Sequence, residues 1–232
     1  TWEQNKTLDN ARRLHFKSEP QSQELIRRLN LAPGGTPALV AMREDLLKAT
    51  RLNTQLKTLD NDFRHLFSSW FNRGFLRIRK IDWRTPALIL EKLIAYEAVH
   101  AMDGWDDLRR RLEDDRRCFA FFHPALEDEP LIFVEVALVD GLATAVQPLL
   151  APKSEEFTQA DTAIFYSISN CQKGLKGISF GNFLIKQVVM ELQQELPMLE
   201  HFATLSPIPG FTRWLNSQLE KDACTYCTTD HK

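Results

Sequence analysis

Residues 162–189 read TAIFYSISNCQKGLKGISFGNFLIKQVV, and two different periodicities meet inside them. AIFYSIS (163–169) is a short, β-rich apolar run, which predicts a strand. NFLIKQVVMELQQEL (182–196) sets Phe183, Leu184, Val188 and Leu192 on one face, which predicts a helix. Between them lie Gly174, Gly177 and Gly181, interleaved with Lys173 and Lys176. Downstream, HFATL (201–205) reads as another strand and FTRWLNSQLEK (211–221) as a last helix. Strand, glycine loop, helix, strand, helix is an α/β pattern.

Working towards the N-terminus, PLIFVEVALV (130–139) and RCFAFFHP (117–124) are apolar β-rich runs joined by the acidic turn ALEDE, and GFLRIRKID (74–82) alternates apolar and basic residues as a strand does. TPALILEKLIAYEAV (85–99) and GWDDLRRRL (104–112) predict helices, and APKSEEFTQAD (151–161) a surface loop. Before about residue 70 every signal is helical. SQELIRRLNLAPGG (22–35) stops on Pro33-Gly34-Gly35. Residues 36–71 then place Leu39, Met42, Leu46, Ala49, Leu52, Leu56, Leu59, Phe63 and Leu66 on one stripe, with Thr36 as N-cap and Pro37 at the first helical position. That predicts one long amphipathic helix whose stripe needs a partner, such as another subunit. The division is a helical segment over 1–70 and a mixed α/β segment over 71–232.

Composition narrows the function. The 232 residues hold 29 basic and 31 acidic side chains, so nothing calls for nucleic acid or an anionic membrane. No apolar run approaches the roughly 20 residues that cross a bilayer. Four cysteines are too few and too uneven for a disulfide scaffold, which points to a reducing cytoplasm. CTYC (224–227) with His231 is only a partial metal-ligand spacing and reads as a solvated tail; the six histidines show no metal spacing. LRRRLEDDRR (108–117) reads as a solvated helix face, with Arg116 and Arg117 close enough to a strand to reach an anion.

Two places could carry chemistry. In QKGLKGISFGN, glycines allow successive backbone N–H groups to face one concavity at a helix start, which suits a phosphate or diphosphate; the plainer reading is a turn with two solvated lysines. In HFATLSPIPGFTRW (201–214), Ser206 ends a strand and is stiffened by Pro207 and Pro209. It is either a held reactive hydroxyl or the cap of the last helix.

Taken together, residues 162–189 with HFATLSPIPGFTRWL resemble the malonyl-CoA decarboxylase family, as do WFNRGFLRIRKIDWRTPALILEKLIAYEAVH and RRCFAFFHP upstream, in the same order. The likeness covers roughly residues 35–216, and LSPIPGFT is its most specific part. The resemblance implies an N-terminal helical domain used in oligomer contacts and a GNAT-like acyl-CoA-binding α/β domain. It implies conversion of malonyl-CoA to acetyl-CoA and CO2, with no cofactor or metal, because the thioester serves as the electron sink. Lys176, Gly177, Ile178, Ser179, Phe180, Gly181 and Asn182 would line the coenzyme and malonyl end, and Ser206 would be the catalytic serine. Some members carry an acidic residue where this chain has Ser179. The family's later catalytic histidine, in a segment of the form ARFHxxNGA, does not occur here, and with a first residue other than Met this implies a fragment of a longer protein. Two other readings stand beside this one: an acyl-CoA-dependent N-acyltransferase, and a non-catalytic CoA-binding or oligomerisation module.

Overall fold

The computed structural model describes residues 6–18, 20–152, 160–180 and 183–220. The chain opens with α1 (Leu8–Lys17), α2 (Gln21–Asn30), α3 (Gly35–Ala49) and α4 (Lys57–Trp70). It continues through β1 (Arg77–Ile81), α5 (Ala87–Tyr96), α6 (Trp105–Arg111), β2 (Arg116–Phe122), β3 (Ile132–Val139) and the single turn α7 (Gln147–Leu150). It closes with β4 (Thr162–Asn170), α8 (Phe183–Glu195), β5 (His201–Thr204) and α9 (Phe211–Leu219). The mixed α/β class is therefore as expected.

The expected long helix over 36–71 is instead two. Helix α3 ends at Ala49, and Asn53 leaves the helical region at φ −132°, its side chain accepting the Gln55 N–H to start a short 3-10 turn before α4. The chain doubles back so that α3 and α4 each turn an apolar face inward: Leu39, Leu46, Phe63 and Leu66 are buried. Leu52, predicted on the stripe, sits on the turn at 93% exposure. Thr36 is not a cap either. Gly34 caps α3 at φ 70°, and the Thr36 hydroxyl donates to Asn30 Oδ1.

Strands β1 to β4 pair antiparallel in sequence order, and β5 adds parallel to β4 through the α8 crossover. Alternation divides the sheet into two faces. Phe119, Phe121, Val134, Val136 and Phe165 pack under α2, α3, α4 and α8. Cys118, Ala120, Phe122 and Phe133 pack against Ile89, Leu90 and Leu93 of α5 and Leu108 of α6. The first of these cores is continuous from the helical segment into the sheet.

The β3–β4 register breaks once. Glu135 pairs with Ser167 and Val136 with Phe165, so Tyr166 is an extra residue. Such a bulge bends its strand. Beyond it β5 no longer follows: β5 pairs only with Thr162–Phe165, and the end of β4 from Tyr166 to Asn170 runs on paired with β3 alone, its other edge left open by β5.

The charged run 108–117 is not a solvated face. Arg110, Arg111, Arg116 and Asp115 are buried. Arg110 and Arg116 share the Asp115 carboxylate, and Arg116 also donates to Leu149 O at 2.6 Å; its Nε has no partner among the described residues but is buried, so the guanidinium is turned away from any external anion. Arg117 donates to Glu195 of α8 at 2.8 Å.

Candidate active site

The glycine loop leaves β4 at Asn170 and makes a 3-10 turn over Lys173–Leu175. Lys176 (φ −55°, ψ 128°) and Gly177 (φ 78°) follow, with Ile178 N–H donating to Leu175 O at 3.0 Å. Those angles are a type II turn, which demands glycine at its third position. Leu175 and Ile178 are buried as anchors while Lys176 and Gly177 stand in solvent, so the turn is presented outward on an apolar base. Lys176, Gly177, Ile178 and Phe180 line a cleft of about 310 Å³ with Asn170 and Lys173. Ser179 and Phe180 line a larger one, about 720 Å³, that runs between α4 and the start of α8. Arg73 and Lys186 make that cleft basic, and the Arg73 guanidinium lies 5.3 Å from the centroid of the Phe183 ring. Gly181 and Asn182 lie outside the described residues, as do Cys224, Cys227 and His231.

Ser206 stands two residues past β5, exposed, and does not cap a helix; Gly210 caps α9 at φ 82°. Leu205 N–H donates to Phe165 O at 2.9 Å, the last tie between the two strands before they part. The serine shares a cleft of about 200 Å³ with His100, Thr144, Ala145, Val146, Leu205 and Pro207. No described cavity is lined by both Ser206 and the glycine turn. What joins them is the edge of β4 that β5 leaves open, from Phe165 beside the serine to Asn170 at the loop. Five residues of strand span about 16 Å.

His100 was not singled out by the sequence, although it closes the YEAVH segment. Its Nε2 lies 3.2 Å from Tyr166 O; a carbonyl only accepts, so Nε2–H is the donor. The turn bearing it is held by Glu97, whose carboxylate accepts the N–H groups of Val99 and His100, both at 2.7 Å, and the hydroxyls of Ser167 and Ser169. Beneath, Arg111 Nη1 donates to the fully buried Glu135 at 2.9 Å, and Arg111 Nη2 reaches His100 O at 3.4 Å. Burial pushes the Glu135 carboxyl up to about 8 against the opposing pull of Arg111. Tyr166 is likewise pushed far up by burial. Among the described residues, no group of three or more His, Cys, Asp or Glu side chains could hold a metal ion.

The comparisons agree with one another. The family model for the malonyl-CoA decarboxylase N-terminal domain matches residues 1–71, and that for the C-terminal domain matches residues 74–232. The mitochondrial malonyl-CoA decarboxylase of Anser anser anser is 38% identical over 221 residues, 92% of this chain and 44% of the relative. That of Mus musculus is 38% identical over 211 residues, 88% of this chain and 43% of the relative. The crystal structure of malonyl-CoA decarboxylase from Rhodopseudomonas palustris superposes with a TM-score of 0.89 at 54% identity, over 99% of this chain and 56% of that one. The one from Agrobacterium vitis gives 0.90 at 54% identity with the same coverage. The chain thus spans less than half the length of the curated relatives it matches. On these matches, which run through both the helical segment and the sheet, the chain belongs to the malonyl-CoA decarboxylase family.

Proposed function

We propose that this chain supplies the coenzyme loop and the reactive serine for decarboxylation of malonyl-CoA to acetyl-CoA and CO2. The observation that carries the reading is the parting of β4 and β5. It leaves one edge of β4 open, with an outward glycine turn at one extremity and an exposed serine at the other, while β3 holds the opposite edge. The gap of about 16 Å suits an extended acyl-pantetheine arm running from the diphosphate to the thioester. At the loop, the backbone around Gly177 with Lys173 and Lys176 takes the diphosphate; Gly181 and Asn182 are assigned to the same ligand by the family resemblance alone, and Arg73 and Lys186 add positive charge in the neighbouring cleft.

At the other end the malonyl carboxylate leaves as CO2. The electron pair of the broken C–C bond passes into the thioester as an enolate, and a proton then returns to the carbon. Ser206 serves this step by a hydroxyl held beside the acyl group, where a hydrogen bond to developing charge is worth most if it is already in place. The stiff Pro207 and Pro209 limit its drift, and a displacement of about 1 Å is enough to cost roughly a hundredfold in rate. The thioester provides the electron sink, so the reading assigns no metal or cofactor.

The test is acetyl-CoA and CO2 release from malonyl-CoA, without an amine acceptor, by the full-length protein and its Ser206→Ala variant. A drop of about a hundredfold or more in kcat is expected; an unchanged rate rules the serine out, and acylation of an added amine would favour the acyltransferase alternative.

Two further readings accompany it. A homo-oligomer through the helical segment is supported by Leu25, Leu29, Leu31 and Met42, apolar side chains that face solvent there. Sedimentation of a Leu25→Glu, Leu29→Glu double variant should show a smaller particle than the parent, and an unchanged mass would refute that interface. A cytoplasmic setting is supported by Cys118 and Cys171, which are free buried thiols. Fractionation of the source cells tests it, and recovery of the protein in another compartment would contradict it. Among the described residues no helix is long and apolar enough to cross a membrane.

A further inference from the structure

The back of the glycine loop is seated on the helical segment, not on the sheet. Arg43 of α3 is 1% exposed and donates from Nη1 to Gly174 O at 2.6 Å, while its Nε donates to Asp60 Oδ1 of α4 at 2.9 Å. Its guanidinium lies 6.0 Å from the Phe67 ring centroid. Gly174 touches α3 so closely that a Cβ there would lie 2.0 Å from Val40 O. The front of the loop also meets the helices. A Cβ on Gly177 would lie 4.0 Å from both Nε and Nη2 of Arg64, on α4. Arg64 is exposed, and no ion pair holds its guanidinium among the described residues. One turn further along the same helix face, Ser68 lines the basic cleft with Ser179 and Lys186.

We propose that the helical segment is part of the coenzyme site: Arg64 is a direct ligand for a phosphate group lying against the Gly177 turn, and Arg43 is the positioning residue that holds the turn from behind. This rests on the reading that the glycine loop takes the coenzyme diphosphate, and it gives the N-terminal helices a role other than subunit contact. The chemistry fits the residue type. A guanidinium offers paired N–H donors in a fork that matches phosphate oxygens, which an ammonium does not. Arg43 uses the same fork inward, one arm on Asp60 and one on the Gly174 carbonyl, so the loop carbonyl is tied to two helices at once.

The experiment titrates the full-length protein with CoA, and with pantetheine as a probe that lacks the phosphates. Arg64→Gln should raise the CoA Kd by about tenfold, Arg64→Lys should recover part of that, and pantetheine affinity should be the same in parent and variant. Gly177→Val is the control for the loop itself. Unchanged CoA affinity in Arg64→Gln beside weakened affinity in Gly177→Val overturns this inference and leaves the loop reading standing. Unchanged affinity in both overturns the loop reading and the inference with it. Equal losses for CoA and pantetheine in Arg64→Gln would mean general damage and also overturn it. For Arg43, Arg43→Lys should raise the KM for malonyl-CoA about fivefold or more with kcat within a factor of two. A lowered melting temperature with KM at the parent value would make Arg43 a packing residue only.

Discussion

At the scale of single residues, the place of the glycine turn and of Ser206 in the fold was legible because each carries a local signature, glycines at a strand-to-helix passage and a serine braced by two prolines, while their roles stay those proposed above. The charged run 108–117 was not. Spacing gives Arg111 and Arg116 the look of a solvated face, whereas the distant groups that draw them inward, Glu135 and the Leu149 carbonyl, are brought to them only by the tertiary fold. His100 went unnoticed for the same reason, since the Tyr166 carbonyl it meets lies 66 positions away. Glu135 gives a pH test. Its carboxyl is raised to about 8 in the folded chain from 4.5, so between those values the native state holds a proton that the unfolded state has released. Stability therefore falls as pH rises through that window. Thermal melts from pH 5 to 8 should show the parent losing stability more steeply than Glu135→Gln; parallel slopes would mean that Glu135 stays ionised beside Arg111 throughout.

At the scale of elements, the strands and most helices follow from periodicity, and the one large error is instructive. Leu39 to Leu66 keep a helical spacing straight through the turn, because a short reversal that contains a 3-10 segment hardly disturbs a count of threes and fours. The polar stretch around Asn53 was the warning: asparagine readily bonds a backbone N–H two residues on. The two arrangements predict different mutational costs. Leu46→Ala should destabilise by about 2–4 kcal/mol, as a buried side chain removed from a core. Leu52→Lys, on the exposed turn, should change stability by less than about 0.5 kcal/mol. Denaturant titration reads both, and a large loss at Leu52 would restore the single long helix.

At the scale of the whole molecule, sequence order showed which elements exist but not that α3 and α4 would close over the glycine loop. That association depends on Arg43 meeting a carbonyl 131 positions away and on a glycine that lets two backbones touch. The core has no seam where the two family models adjoin. Phe63, Phe67 and Phe71 belong to the same apolar cluster as Phe121, Leu126 and Ile178. The Phe71 ring lies 4.8 Å from that of His123, whose Nε2–H donates to Trp70 O at 3.1 Å. A polypeptide beginning at residue 72 would thus hydrate a wall of phenyl contacts, each worth about 1.5–3 kcal/mol when buried. It should be recovered as insoluble material, and co-expression with residues 1–71 should rescue it; a soluble, cooperatively melting 72–232 piece would disprove this. The practical corollary concerns proteolysis: a nick in the linker between Trp70 and Arg77 should leave both products clasped together, co-eluting until denaturant parts them.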